Sequence, residues 1–126
     1  MTSNSQIINS NTDTLNDLII ESIQDIKGKN IIKLDLTKLH DAPTDYFIIC
    51  EGESLVQVKS IADSIRKRLK NELGEFPVNT EGESNAQWIC MDYFDVVIHI
   101  FYKEARAFYE LEELWSDADF TEYDDL

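Results

Sequence analysis

The chain has 126 residues, 43% of them apolar, which fits one globular domain with a core of its own. Its 25 acidic residues against 11 basic ones leave a net charge of −14. Such a field repels phosphate backbones, so it sets general nucleic-acid and direct DNA binding aside while attracting a basic protein partner.

No apolar run approaches the roughly 20 residues that a membrane span needs, so no membrane partner is expected. No Lys or Arg precedes Lys27 and there is no signal-peptide core, which points to a cytoplasmic protein. Cys50 and Cys90 both lie in apolar strand patterns and read as buried reduced thiols rather than as a disulfide.

Residues 1–11 are polar, rich in Ser and Asn, and read as a flexible N-terminus. Thr14 with Asp17 has the form of a capping box, and Leu15, Leu18, Ile19, Ile23 and Ile26 recur at helical spacing. The spacing predicts an amphipathic helix over 14–27, ended by Gly28. Residues 31–36 alternate as a strand with one wetter face. After a loop at 41–44, residues 46–50 form a continuous apolar run, the pattern of a central strand covered on both faces. Gly52-Glu53-Ser54 breaks that run, and Ser54 is placed to cap the next helix.

That helix, over 55–73, carries Val58, Ala62, Ile65, Leu69 and Leu73 as its buried stripe. Its opposite face holds Lys59, Arg66, Lys67, Arg68 and Lys70, read as a solvated face, with a basic contact patch as the alternative. Pro77-Val78-Asn79-Thr80 suggests a short edge strand.

Two apolar runs, 88–91 and 96–101, then flank Asp92-Tyr93-Phe94-Asp95 and predict an antiparallel hairpin. Val96, Ile98 and Ile100 would face one side of the sheet, and Val97, His99 and Phe101 the other. Both sets are apolar, so both faces need a cover. The tip offers Tyr93-Phe94 where a two-residue turn favours Gly or Asn at positive φ. Either the turn is longer, or the exposed aromatics serve contact with another molecule. Phe108, Leu111, Leu114 and Trp115 give a last helix opened around 103–106, and 116–126 reads as a solvated acidic tail. The domain thus spans 12–115, an α/β fold with a mixed sheet of about five strands packed with helices.

Chemistry is hard to place on this frame. Gly52-Glu53-Ser54 between strand and helix resembles the entrance of polymerase-β-like nucleotidyltransferases. Those enzymes need Asp-x-Asp soon afterwards to hold a metal pair. Here the next acid is Asp63, inside the helix, while Asp92 and Asp95 bracket a turn. There is no Walker loop, His-Glu-x-x-His or Cys-x-x-Cys. His40 reads as a surface residue and His99 as a hydrogen-bonded core residue. No catalytic, metal or cofactor residue is assigned, and no cofactor is expected.

Several stretches resemble the ribosomal silencing factor (iojap) family in order and without large gaps. The first group is Thr44-Asp45-Tyr46-Phe47-Ile48-Ile49-Cys50, Gly52-x-Ser54, Gln57-Val58 and Ile61-Ala62-Asp63. The second is Glu81-Gly82, Trp88, Asp92-Tyr93, residues 95–101, and Glu104-x-Arg106-x-Phe108-Tyr109-x-Leu111-Glu112-x-Leu114-Trp115. The resemblance implies a nucleotidyltransferase-like topology without the catalytic carboxylates, and no enzyme activity. It also implies a factor that binds the large ribosomal subunit through its protein number fourteen, blocks association with the small subunit and represses translation under nutrient limitation. A homodimer in the free state is part of the same expectation.

Matched residue by residue, Trp88 and Ile89 correspond to the aromatic-aliphatic pair that the family presents to its partner. Asp92, Tyr93 and Asp95 follow on the same hairpin, placed to meet partner Lys or Arg. Trp88 as a core residue and the two Asp as turn acids are the structural alternatives. Glu104 and Arg106, two apart near a helix start, do not face each other, and a bond to the sheet is expected of them. Phe94 departs from the commonest family pattern, which has Gly there. A nucleotide-using enzyme on a degenerate scaffold and a self-associating adaptor remain as readings from other classes.

Overall fold

Ten elements follow one another in the chain: helix α1 (Ser3–Asp25), strands β1 (Lys29–Asp35) and β2 (Tyr46–Gly52), helix α2 (Leu55–Leu73), strands β3 (Asn79–Glu81), β4 (Trp88–Asp92) and β5 (Val96–Tyr102), helices α3 (Lys103–Tyr109) and α4 (Leu111–Leu114), and strand β6 (Asp119–Tyr123). The structure is a computed structural model and describes residues 3–109 and 111–124. The strands form one mixed sheet in the order β3-β4-β5-β2-β1-β6. The central pair, β2 and β5, is parallel, and the other neighbours are antiparallel.

The two-residue period of β5 divides the core as expected. Val96, Ile98 and Ile100 lie under α1 and α2, together with Ile48, Cys50, Ile89 and Met91. Leu18, Ile19 and Ile23 from α1 and Val58, Ile61, Ile65 and Leu69 from α2 complete this layer. The second face holds Leu34, Phe47, Ile49 and Phe101, covered by Ala105, Trp115 and Ala118. Near-continuous burial along β2 follows from having a cover on both sides.

Several local expectations change. Helix α1 begins at Ser3, so Thr14 lies inside it and not at its N-cap. The polar, Ser- and Asn-rich residues before Thr14 carry no periodic signal in the sequence. Gly28 is not the left-handed residue that ends α1, because Lys27 takes that backbone at φ 64°. Gly28 is needed for close packing: a Cβ there would meet Ile23 Cγ2 at 2.3 Å. The buried stripe of α2 stops at Leu69, and Leu73 is exposed in the last turn before the Gly74 cap. Leu114, expected in a buried stripe, is 73% exposed, because the last helical stretch is split into α3 and α4. The side chains of Phe108 and Leu111 lie outside the described residues.

The largest change is at the C-terminus, where the acidic tail supplies β6 and a sixth strand. It pairs with β1 from Ile31↔Tyr123 to Asp35↔Asp119. Phe120, Thr121 and Tyr123 favour extended backbone, and the ladder bonds hold the strand without burying much of it. With almost no apolar burial, it carries no periodic signal.

Candidate functional site

The β4–β5 hairpin is built on the register Trp88↔Phe101, Cys90↔His99 and Asp92↔Val97. Trp88, Cys90 and Asp92 therefore share the second face, and Ile89 and Met91 point into the helix layer. Trp88 is half-buried. Its indole N–H donates to His99 Nδ1 at 3.0 Å, and its ring stacks on Phe101 with centroids 5.1 Å apart. His99 in turn meets the Phe47 ring edge-on at 4.6 Å, and Phe47 meets Trp115 at 5.9 Å. A row of aromatic rings thus runs across this face from Trp88 to Trp115.

Since Nδ1 accepts, the neutral imidazole carries its proton on Nε2, which is buried without a partner. Burial lowers the pKa of His99 to about 4. Behind Trp88, the backbone of Gly82 at φ 87° approaches so closely that a Cβ would stand 2.0 Å from the Trp88 carbonyl oxygen. Only glycine fits both the angle and the gap.

The tip is a tight turn centred on Phe94. Asp95 N–H donates to the Tyr93 carbonyl at 3.0 Å, and Tyr93 N–H to the Val96 carbonyl at 2.9 Å. Phe94 sits at φ 75°, the positive-φ γ-turn that is strained for an L-residue. Asp92 Oδ1 accepts the Phe94 N–H at 2.8 Å, and the Thr44 hydroxyl donates to the Phe94 carbonyl at 2.8 Å. Phe94 itself is 77% exposed. A groove of about 550 Å³ separates this tip from the β1–β2 loop, lined by Leu39, Pro43, Asp45, Asp92, Phe94 and Asp95 among others.

The five residues matched to the family's docking pair and its neighbours do not share one surface. Trp88, Asp92 and Asp95 reach solvent in part. Ile89 is wholly buried and Tyr93 nearly so, both on the helix side, and burial pushes the Tyr93 hydroxyl up to about 12. Tyr93 is therefore not an exposed tip residue; the turn is displaced by one position, which leaves Phe94 outside and Tyr93 in the core. His99 was missed as a partner of Trp88. The hairpin register carried the signal, since position 99 lies diagonal to position 88.

Elsewhere, charged residues are used internally. Arg68 on α2 binds Glu21 and Asp25 of α1 and Glu72, and Arg66 binds Asp63 and Glu83. The solvated-face reading of α2 thus holds for Lys59, Lys67 and Lys70, which are exposed, but not for Arg66 and Arg68, which are drawn into these ion pairs. Arg106 donates to the Asn30 carbonyl and pairs with Glu51 at 3.2 Å, which is the expected bond to the sheet. The Ser54 hydroxyl accepts the Gln57 N–H, and Glu53 pairs with Lys103 at 2.8 Å, so the Gly-x-Ser break serves to start α2. Cys50 and Cys90 are free; Cys50 is buried as expected, whereas Cys90 is half-buried. Among the described residues, no group of three His, Cys, Asp or Glu is arranged to hold a metal, and no helix is long and apolar enough to cross a membrane.

Residues 9–126 match the family described as Ribosomal silencing factor during starvation. The chain belongs to this family. The match takes in α2, the whole hairpin and β6. Several bacterial proteins named Ribosomal silencing factor RsfS are similar to it. The Ribosomal silencing factor RsfS of Chromobacterium violaceum is 42% identical over 101 residues, covering 78% of this chain and 79% of the relative. That of Bacillus subtilis is 38% identical over 100 residues, covering 79% and 83%. A crystal structure of a C. violaceum protein superposes with a TM-score of 0.77 at 38% identity, covering 82% of this chain and 85% of that one. Membership in the silencing family places the chain in ribosome silencing and the regulation of translation. It also fits a regulatory protein better than the nucleotide-using enzyme considered from the sequence.

Proposed function

We propose that this silencing-family protein acts by binding alone, in the cytoplasm. It docks the β4–β5 hairpin on protein number fourteen of the large ribosomal subunit, blocks joining of the small subunit and represses translation when nutrients are scarce. The observation that carries this reading is the hairpin itself: it bears a half-buried Trp88 at one end of β4 and the part-exposed Asp92 and Asp95 at its tip, on a body of net charge −14. Aromatic anchors ringed by charge are the usual centre of a protein interface, and an acidic body suits a basic ribosomal protein. In this reading Ile89 and Tyr93 support the hairpin from beneath, while Phe94 and the groove at the tip receive a Lys or Arg of the partner.

Co-sedimentation with separated ribosomal subunits tests it. The wild type should pellet with the large subunit only, and Trp88→Ala should lose that binding with a native circular dichroism spectrum. Pelleting with neither subunit would remove the docking proposal. A second reading, self-association of the free protein, is favoured by the exposed Phe76 and Val78 beside the β3 edge. A monomer by light scattering at high concentration would end it.

A further inference from the structure

Gly82, Phe101 and His99 each hold Trp88. Gly82 closes on its backbone, Phe101 lies under its ring, and His99 takes its indole N–H. The third is a polar contact on an otherwise apolar face. His99 is 6% exposed, and its Nε2 has no hydrogen-bond partner. An imidazole buried with one nitrogen unsatisfied is a poorer core residue than an aliphatic side chain of similar size. The strand partners on this face, Val97 and Phe101, are apolar, and position 99 would pack well as Leu. What the imidazole adds is an acceptor at Nδ1, aimed at Trp88. The imidazole is itself oriented by the edge contact to Phe47 and by the Phe101 ring at 6.4 Å, so the acceptor direction is set before any partner arrives.

We propose that His99 is a positioning residue for docking: its Nδ1 fixes the Trp88 indole in the orientation that meets the ribosomal partner. This rests on the proposal that Trp88 is the docking anchor. A side chain ordered in advance loses less freedom on binding, and that saving is converted into affinity. By this account His99 never touches the partner and acts through the indole alone.

The test compares His99→Leu, His99→Asn and His99→Gln with wild type and Trp88→Ala, each titrated against purified large subunits. A Trp115→Phe background leaves Trp88 as the sole tryptophan, so its fluorescence anisotropy reports how well the indole is held. Asn places an amide oxygen near the position of Nδ1, whereas Gln reaches toward Nε2. His99→Leu should keep a native circular dichroism spectrum, lower the Trp88 anisotropy and weaken binding roughly three- to tenfold, the range set by one freed side chain. His99→Asn should restore both readouts and His99→Gln neither. Should His99→Leu fold poorly, the comparison of Asn with Gln carries the decision. Equal binding by Asn and Gln, or wild-type binding by folded His99→Leu while Trp88→Ala has lost it, overturns the proposal and leaves Trp88 as anchor. Wild-type binding by Trp88→Ala overturns the docking reading and this proposal with it.

Discussion

The indole N–H of Trp88 and Nδ1 of His99 are 3.0 Å apart, and the bond exists only while the imidazole is neutral. Burial keeps it neutral, lowering its pKa from the ordinary 6.5 to about 4. The unfolded chain therefore binds more protons than the folded one between these two values. Stability from this site is complete above pH 6.5 and is lost as pH falls toward 4, by about 3 kcal/mol in total. Urea unfolding at pH 7 and pH 4.5 should show that fall, and His99→Leu should remove part of it. An identical pH dependence in the variant would mean that other groups carry it.

Phe94 occupies left-handed backbone at φ 75° with most of its ring in solvent. Glycine adopts that angle without strain, and little apolar burial is lost with the ring. The steric relief, about 1–2 kcal/mol, exceeds the extra entropy that glycine gives the unfolded chain, about 0.5–1 kcal/mol. Phe94→Gly should therefore raise the thermal midpoint. A lower midpoint would show that the exposed ring makes contacts worth more than the strain.

Arg106 and Glu51 form the most buried ion pair among the described residues, with side chains 9% and 15% exposed. Removing one partner leaves a largely buried charge without its counter-ion. Arg106→Met should cost roughly 3–5 kcal/mol in chemical unfolding, and adding Glu51→Gln should return part of it. If the double variant is no better than the single one, the Asn30 carbonyl is the more important partner of the guanidinium.

Strand β6 caps the open edge of β1 with acidic residues that discourage a further strand from adding. Deleting residues 117–126 should uncover the β1 edge and the Ala118 contact with the second face. Size-exclusion chromatography of the truncated chain should show concentration-dependent association. A well-behaved truncated protein with an unchanged unfolding midpoint would make β6 dispensable.

The parts of the fold that bury apolar surface were legible in the sequence. The faces of β5, the double cover of β2, the stripe of α2 to Leu69 and the Ser54 cap all follow from spacing or from capping chemistry. What escaped was held by other means. β6 is a ladder of backbone bonds, and Gly28 serves a contact rather than a turn. At the site, the family motif grouped Trp88, Ile89, Asp92, Tyr93 and Asp95, whereas alternation and a one-position shift of the turn send Ile89 and Tyr93 into the core. The Trp88–His99 bond depends on register across the hairpin, which no single stretch of sequence displays.

The parallel pairing of β2 with β5 has a kinetic consequence. Tyr46 lies opposite Val96, so the middle of the sheet joins segments fifty positions apart in the chain. Closing so long a loop costs entropy before any contact repays it, and such non-local pairings slow folding. The β4–β5 hairpin is local and closes on the microsecond scale, but alone it has no cover for either face. A nascent chain that stops before β5 lacks the strand on which both cores rest. Full packing of both core layers therefore waits for β5.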